Sequence, residues 1–395
     1  MSSEYIELEN RYAANNYKPA DVVITKGKGV WVWDVEGNRY LDCVSGYGAL
    51  NQGHCNNKIY KAVTAQAEKL TLISRAFRTD LLGLFSKELC EKTGSDKVIL
   101  MNSGAEAVET ALKTTRKWGY EVKKIPQNKG EIIVCENNFH GRTVTVIGFS
   151  TMKKVKGKFG PYGGGFKIIP YNDPAALEKA ITANTTGFLV EPIQGEGGIQ
   201  IPDDGYLKEV RSICTDKNVP LIFDEIQTGL GRTGYLLAEE HEQVRADMSI
   251  IGKSLGGGFL PVSAVLSRGG MLDVLEPGDH GSTFGGNPLA CAAGLAALAV
   301  IDEDGLIANA REKGEYLKSR IESLSLPGVK QVRGRGLMLG LEMEGPADEA
   351  VAKLLTNGLL CNKAGANVIR FTPPLTITDE EADWALEKLS AALAD

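Results

Sequence analysis

A chain of 395 residues exceeds one ordinary domain, and 43% hydrophobic and 24% charged residues with 46 glycines exclude a disordered or fibrous protein and suit a soluble α/β enzyme. A formal charge of −6 with no dense Lys/Arg block argues against a nucleic-acid footprint or an anionic membrane surface, so no nucleic acid and no membrane are expected as partners. Seven cysteines without a C-x-x-C pair and four histidines (His54, His140, His241, His280) outside any ligand spacing predict neither disulfide framework nor metal.

The N-terminus is acidic and has neither the apolar core of a signal peptide nor the arginines of a transit peptide, so a cytoplasmic location is expected. Residues 30–42 read as two strands around a Glu-Gly-Asn turn, a hairpin. Residues 46–54 are too glycine-rich for a helix and predict a loop that can approach a ligand. Tyr17 and Tyr47 flank it, either as substrate contacts or as half-buried packing residues. A helical stretch follows over about 58–91.

Alternating strand and helix patterns begin at the apolar run 97–101. Behind it, Ser103 and Glu106 fit a capping box, and a helix starting at Gly104 directly after a strand turns free N–H groups outward. Those groups at Gly104 and Ala105 could hold a phosphate, or the segment is an ordinary capped helix. Further strands are expected at 131–135, 166–170, 187–190, 219–223, 248–251 and 261–266, with helices such as 175–183 and 206–217 between several of them. The alternation predicts a mostly parallel sheet with helices on both faces, whose ligands bind beyond the carboxyl ends of the strands.

Two of those ends carry complementary chemistry. The strand 219–223 runs into Asp224, which can keep a pyridine nitrogen protonated; the alternatives are a cap or half of a metal site with Glu225. The strand 248–251 delivers Lys253 into a turn with Gly256, Gly257 and Gly258. A poorly solvated ammonium there loses its proton readily, and the free amine can attack an aldehyde to form a Schiff base; otherwise the lysine is structural, its head reaching water. Two nucleotide motifs fail: Gly229–Gly234 spells G-x-G-x-x-G, but five residues separate strand from glycines, and the tail-like Gly252-Lys-Ser254 has Asp247 where a P-loop needs glycine.

The thirteen-residue apolar run 289–301 is too short to span a bilayer and predicts a buried helix. From about Gly305 a charged helix, short strands and a closing helix form a smaller α+β unit. The expected division is an N-terminal segment (1–67), a large domain (68–305) and a small C-terminal domain (306–395).

Asn102-Ser-Gly-Ala-Glu-Ala107, Phe139-His-Gly-Arg-Thr143, Val190-Glu-Pro-Ile-Gln-Gly-Glu196, Asp224-Glu-Ile-Gln-Thr-Gly229, Gly252-Lys253 and His280-Gly-Ser-Thr-Phe-Gly-Gly-Asn287 together resemble the class III pyridoxal phosphate aminotransferases, nearly from end to end. The resemblance implies the fold type I of pyridoxal 5'-phosphate (PLP) transferases, with Lys253 bound to the cofactor, Asp224 on its ring nitrogen, Gln227 on its phenolic oxygen, and Phe139 and His140 at the ring. It implies a phosphate on Ser103, Gly104 and Ala105, with Thr283 supplied by a neighbouring subunit, so a homodimer is expected. Tyr47 in its glycine-rich stretch, residues 74–77 and residues 368–375 resemble the branch that takes L-ornithine and 2-oxoglutarate. Phe139-His140 resembles the N-acetylornithine branch, and Asn56-Asn57 replaces the usual His-Pro. In the family, an arginine matching Arg370 is masked by a glutamate matching Glu196 for one substrate and exposed for the other, while Arg142 and Tyr17 meet the substrate's far end.

Overall fold

The computed structural model describes residues 2–394. Among the described residues the strands form three sheets. The first holds β1 (Ile24–Lys28), β2 (Trp31–Asp34) and β3 (Arg39–Asp42), the predicted hairpin with one more strand. The central sheet uses β4 (Lys97–Met101), β5 (Glu131–Cys135), β6 (Phe166–Ile169), β7 (Thr185–Val190), β8 (Leu221–Asp224), β9 (Met248–Ile251) and β10 (Ser263–Ser267), in the order β4-β10-β9-β8-β7-β5-β6. β9, β8, β7, β5 and β6 run parallel, and β10 is antiparallel to both its neighbours. The third sheet is antiparallel, from β11 (Val329–Arg335), β12 (Met338–Met343), β14 (Asn362–Ala364) and β15 (Val368–Phe371). β13 (Leu359–Leu360) pairs in parallel with β3, so the N-terminal sheet draws its last strand from the C-terminal part of the chain.

β7, β8, β9 and β10 are buried at every position because helices cover both faces of the sheet. Alternation sends Ile132, Leu189, Ile222 and Ile250 towards Ala107, Val108, Ala111 and Leu112 of the helix Gly104–Glu121. It sends Ile133, Phe188 and Phe223 to the other side, against Leu207, Val210 and Cys214 of Tyr206–Asp216. Burying each large apolar side chain stabilises the fold by about 1.5–3 kcal/mol, which holds the strand ends, and whatever they carry, in a fixed frame.

The apolar run is the helix Pro288–Glu303, buried at Cys291, Ala293, Ala297 and Val300, and among the described residues no helix is long and apolar enough to cross a membrane. The helical stretch expected over 58–91 is instead two helices, Asn57–Ala67 and Asp80–Thr93. Between them lie β-branched Thr71 and Ile73, and Ser74, whose Oγ accepts from the N–H of Ala76 while its carbonyl accepts from Phe77, closing a turn that competes with helix. Gly229–Gly234 leads into no nucleotide-binding helix; a side chain at Gly234 would press on Arg311 at 3.2 Å, so that glycine serves packing.

Candidate active site

Asp224 is the last residue of β8, and Lys253 stands two residues beyond β9. Parallel neighbours put both on the same edge of the sheet, where they line a cavity of about 210 Å³ with Gly104, Ala105, Phe139, His140, Glu191, Glu196 and Gln227. Lys253 has a left-handed backbone (φ 47°) at the start of a single 3₁₀ turn, Lys253–Gly256. Burial depresses its ammonium pKa to about 8; Glu196 opposes that shift and Arg370 adds to it.

The floor of the cavity is a buried trio of ionisable groups. His140 Nδ1 shares a 2.7 Å hydrogen bond with Asp224 Oδ2, and the two side chains are 0% and 4% exposed. Burial works to lower the imidazole's pKa, but the Asp224 bond and charge outweigh it and raise the value. Glu191, at the end of β7, accepts from the N–H of Phe139 at 3.1 Å. Burial, reinforced by the charge of Asp224 and opposed by His140, pushes its pKa up to about 7. Asp224, bonded to His140 on one side, lines the cavity and is the carboxylate that a pyridine nitrogen would meet at this end. The motif 190–196 displays Glu191 openly, but its role was missed because two acids compete there and only the strand end separates them.

At the other end, Ser103 caps the helix Gly104–Glu121, accepting from the N–H of Glu106, whose carboxylate accepts from the N–H of Ser103 at 2.7 Å. The predicted capping box is present, and the N–H groups of Gly104 and Ala105, which have no intrahelical acceptor, are left for an anion. A Cβ at Gly104 would lie 2.9 Å from Cδ1 of Ile226, so a side chain there would have to push that methyl aside. Between the two ends, a Cβ at Gly195 would fall 1.5 Å from Gln227 Oε1; the bare backbone leaves room for that amide, whose Nε2 donates to the carbonyl of Tyr47 at 3.2 Å. Phe139 lines the cavity with the Arg142 guanidinium 5.5 Å from its ring centre. A phosphate cradle, an aromatic wall, a buried acid and a desolvated amine fit PLP.

The mouth is built differently. Arg370, in the middle of β15 and fully buried, donates from Nη1 to Glu196 Oε1 at 2.6 Å, while its Nε and Nη2 have no partner. The Glu196 side chain is 27% exposed; burial works to raise its pKa, and Arg370 reverses that to a net lowering. The Tyr47 ring lies 5.7 Å from the Arg370 guanidinium carbon, on a turn in which Ser45, Gly46 and Tyr47 are all left-handed (φ 51°, 57° and 61°). This is the loop expected at 46–54, tightened into a left-handed turn; the two side-chained residues cost about 1–2 kcal/mol each in that conformation. Six expected contacts lie outside the cavity lining: Ser103, Tyr47 and Arg370 adjoin it through Gly104, Gln227 and Glu196, whereas Tyr17, 71% exposed, and Arg142 and Thr283, also exposed, stand apart from it.

A seven-stranded, mostly parallel sheet with a lysine and an aspartate at adjacent carboxyl ends, beside a smaller antiparallel unit, defines a PLP-dependent transferase of fold type I. Residues 12–393 match the family Aminotransferase class-III, and the chain belongs to that family. It is 53% identical over 390 residues to an ornithine aminotransferase of Bordetella pertussis, covering 98% of this chain and 95% of that protein, and 52% identical to one of a Geobacillus species, covering 100% and 99%. Among solved structures, the ornithine aminotransferase of Toxoplasma gondii, which shows partial occupancy of PLP at its active site, superposes with a TM-score of 0.98 at 45% identity, covering 100% of this chain and 94% of that one. An acetylornithine aminotransferase of Elizabethkingia anophelis superposes at 0.90 with 44% identity, covering 99% and 98%.

Proposed function

We propose that this chain transfers the δ-amino group of L-ornithine to 2-oxoglutarate, giving glutamate 5-semialdehyde and L-glutamate in two alternating half-reactions with ping-pong kinetics. The observation that carries the proposal is Arg370, buried and held by Glu196 through one nitrogen while two others have no partner. A buried guanidinium with spare donors suits a carboxylate, which 2-oxoglutarate brings to the reacting end and ornithine does not. Glu196 masks the charge for the uncharged chain of ornithine and yields to the carboxylate of the keto acid. Arg142 and Tyr17 would receive the carboxylate at the far end of either substrate.

PLP, when bound, supplies an aldehyde that accepts the amino group and an electron-poor ring that stabilises negative charge on the substrate carbon. Lys253 would hold the cofactor and, once displaced, move the proton at the carbon bearing the transferred nitrogen; its depressed pKa suits an amine that must gain and lose a proton near neutrality. Asp224, backed by His140, would keep the ring nitrogen protonated, and Gln227 would bond the phenolic oxygen. Phe139 would cover one face, and Ser103, Gly104 and Ala105 would hold the phosphate. The proposal includes a homodimer, in which the neighbouring subunit contributes Thr283, and a cytoplasmic setting, where the seven free thiols stay reduced.

Phe139 and the Elizabethkingia likeness favour N-acetylornithine as the competing amine. The test is a half-reaction panel: the absorbance of the holoenzyme is followed as ornithine, N-acetylornithine, 4-aminobutyrate and lysine are added separately. Ornithine should react at least about ten-fold faster than the others, and a faster reaction with N-acetylornithine would defeat the substrate assignment.

A further inference from the structure

We propose that Asp42, backed by His54, is a positioning residue for amine selectivity: it fixes the left-handed turn that sets Tyr47 against Arg370. This deepens the proposed function and rests on its placing of Tyr47 and Arg370 at the substrate.

Tyr47 is 44% exposed, so its place is set less by packing than by the backbone beneath it. That backbone occupies left-handed space at three successive residues, two of which carry side chains. Such a conformation persists only where its surroundings over-determine it. Asp42, the last residue of β3, supplies the main restraint. Its Oδ1 accepts from the N–H groups of Val44 at 2.9 Å and Ser45 at 2.8 Å, and its Oδ2 meets His54 Nε2 at 2.8 Å. With both oxygens engaged, the carboxylate has no free rotation.

The turn is also tied to the residues it must register with. Ser45 Oγ donates to the carbonyl of Thr372 at 2.8 Å, and the N–H of Thr372 donates to the carbonyl of Cys43 at 2.7 Å, two residues beyond Arg370. On its far side, the Tyr47 carbonyl accepts from Gln227. Tyr47, Arg370 and Gln227 thus share one reference point, and Asp42 locks it from behind without lining the cavity. Loss of the carboxylate strands two peptide N–H groups and releases the turn towards ordinary backbone angles, carrying the ring away from Arg370.

The test uses holoenzyme and compares single-turnover rates with L-ornithine and N-acetylornithine, read from cofactor absorbance. Tyr47→Ile should shift the ratio towards N-acetylornithine, and Asp42→Ala should shift it the same way by about ten-fold. The double variant should shift it no further than Tyr47→Ile alone, because the two residues act as a unit. Asp42→Asn keeps an oxygen for the two N–H groups and should restore the ratio to within about two-fold of wild type. A purely structural Asp42 would slow both amines equally, and that result, or multiplying effects in the double variant, overturns the proposal. If Asp42→Ala yields no holoenzyme, His54→Ala decides: a shift in the same direction supports the proposal, and an unchanged ratio overturns it. Wild-type enzyme inert towards ornithine would instead sink the functional proposal beneath it.

Discussion

The floor and the mouth of the cavity are built on opposite principles. On the floor, Asp224, His140 and Glu191 sit at or beside the ends of buried parallel strands, almost without solvent, and bond to each other or to adjacent backbone. At the mouth, Tyr47 rests on a strained turn, Arg370 keeps two donors unpaired, and Tyr17 and Thr283 face solvent. A cofactor of constant shape suits a floor with one arrangement. Two substrates of different charge require a mouth with two, and a partly exposed glutamate on a buried arginine can supply the second.

The largest effect should come from the floor. Lys253→Ala removes the buried amine proposed both to hold the cofactor and to move the proton, so turnover should fall by at least about 10⁴-fold for every amine, and borohydride should fix no cofactor to the chain. An equal loss for all substrates is the signature of a floor residue. If the variant keeps turnover, the division between the regions fails at its base.

A mouth residue should instead split the half-reactions. Glu196→Gln leaves Arg370 without its carboxylate partner, unmasked where the proposed function puts the reacting carbon. Breaking a buried ion pair costs about 3–5 kcal/mol, and the partial exposure of Glu196 reduces that, so a loss of about 10- to 100-fold in kcat/KM for ornithine is expected, with 2-oxoglutarate much less affected. Equal losses in both half-reactions would show that the pair is structural and that the mouth has a single state.

The same contrast explains how much was legible in the sequence. Two floor residues announce themselves because strand ends are readable: a mostly apolar run predicts a strand buried on both faces, and the first charged residue after it, Asp224 or Lys253, falls at the sheet edge where ligands bind. The capping box at Ser103 and Glu106 is equally local. The mouth is assembled from distant pieces. Arg370 meets Glu196 across 174 positions and Ser45 meets Thr372 across 327, and no periodicity records such pairings. Residues 46–54 did signal a loop, yet a left-handed Tyr47 is unforeseen, because glycine content indicates where the chain can bend and not which side-chained residue is forced to follow. Glu191 is the exception on the floor: it too follows a buried strand, but Glu196 competes with it in the same motif, and what separates them, burial beside Asp224 on the adjoining strand, is not written in the local sequence.

The smallest prediction asks whether the two regions are electrically separate. Burial holds the Lys253 pKa at about 8, far below an exposed lysine, so the neutral amine predominates above that pH. The rate at which cofactor-free protein captures PLP should therefore rise with pH through a midpoint near 8 and then level off; a rate still climbing towards the pH of an ordinary lysine would show that the floor is wetter than the structure allows. Glu196 favours the charged ammonium, and Arg370 disfavours it. Removing the negative charge with Glu196→Gln should lower the midpoint, because the ammonium loses an attractive partner while the repulsion from Arg370 remains. The shift should be less than about one pH unit, as expected for a charge that shares its field with an arginine it already neutralises in part. A midpoint that does not move would mean that the mouth acts on its substrates alone. A downward shift would mean that the Glu196–Arg370 pair and Lys253 share one field, so that uncovering Arg370, as proposed for a keto acid, would also ease the proton off Lys253.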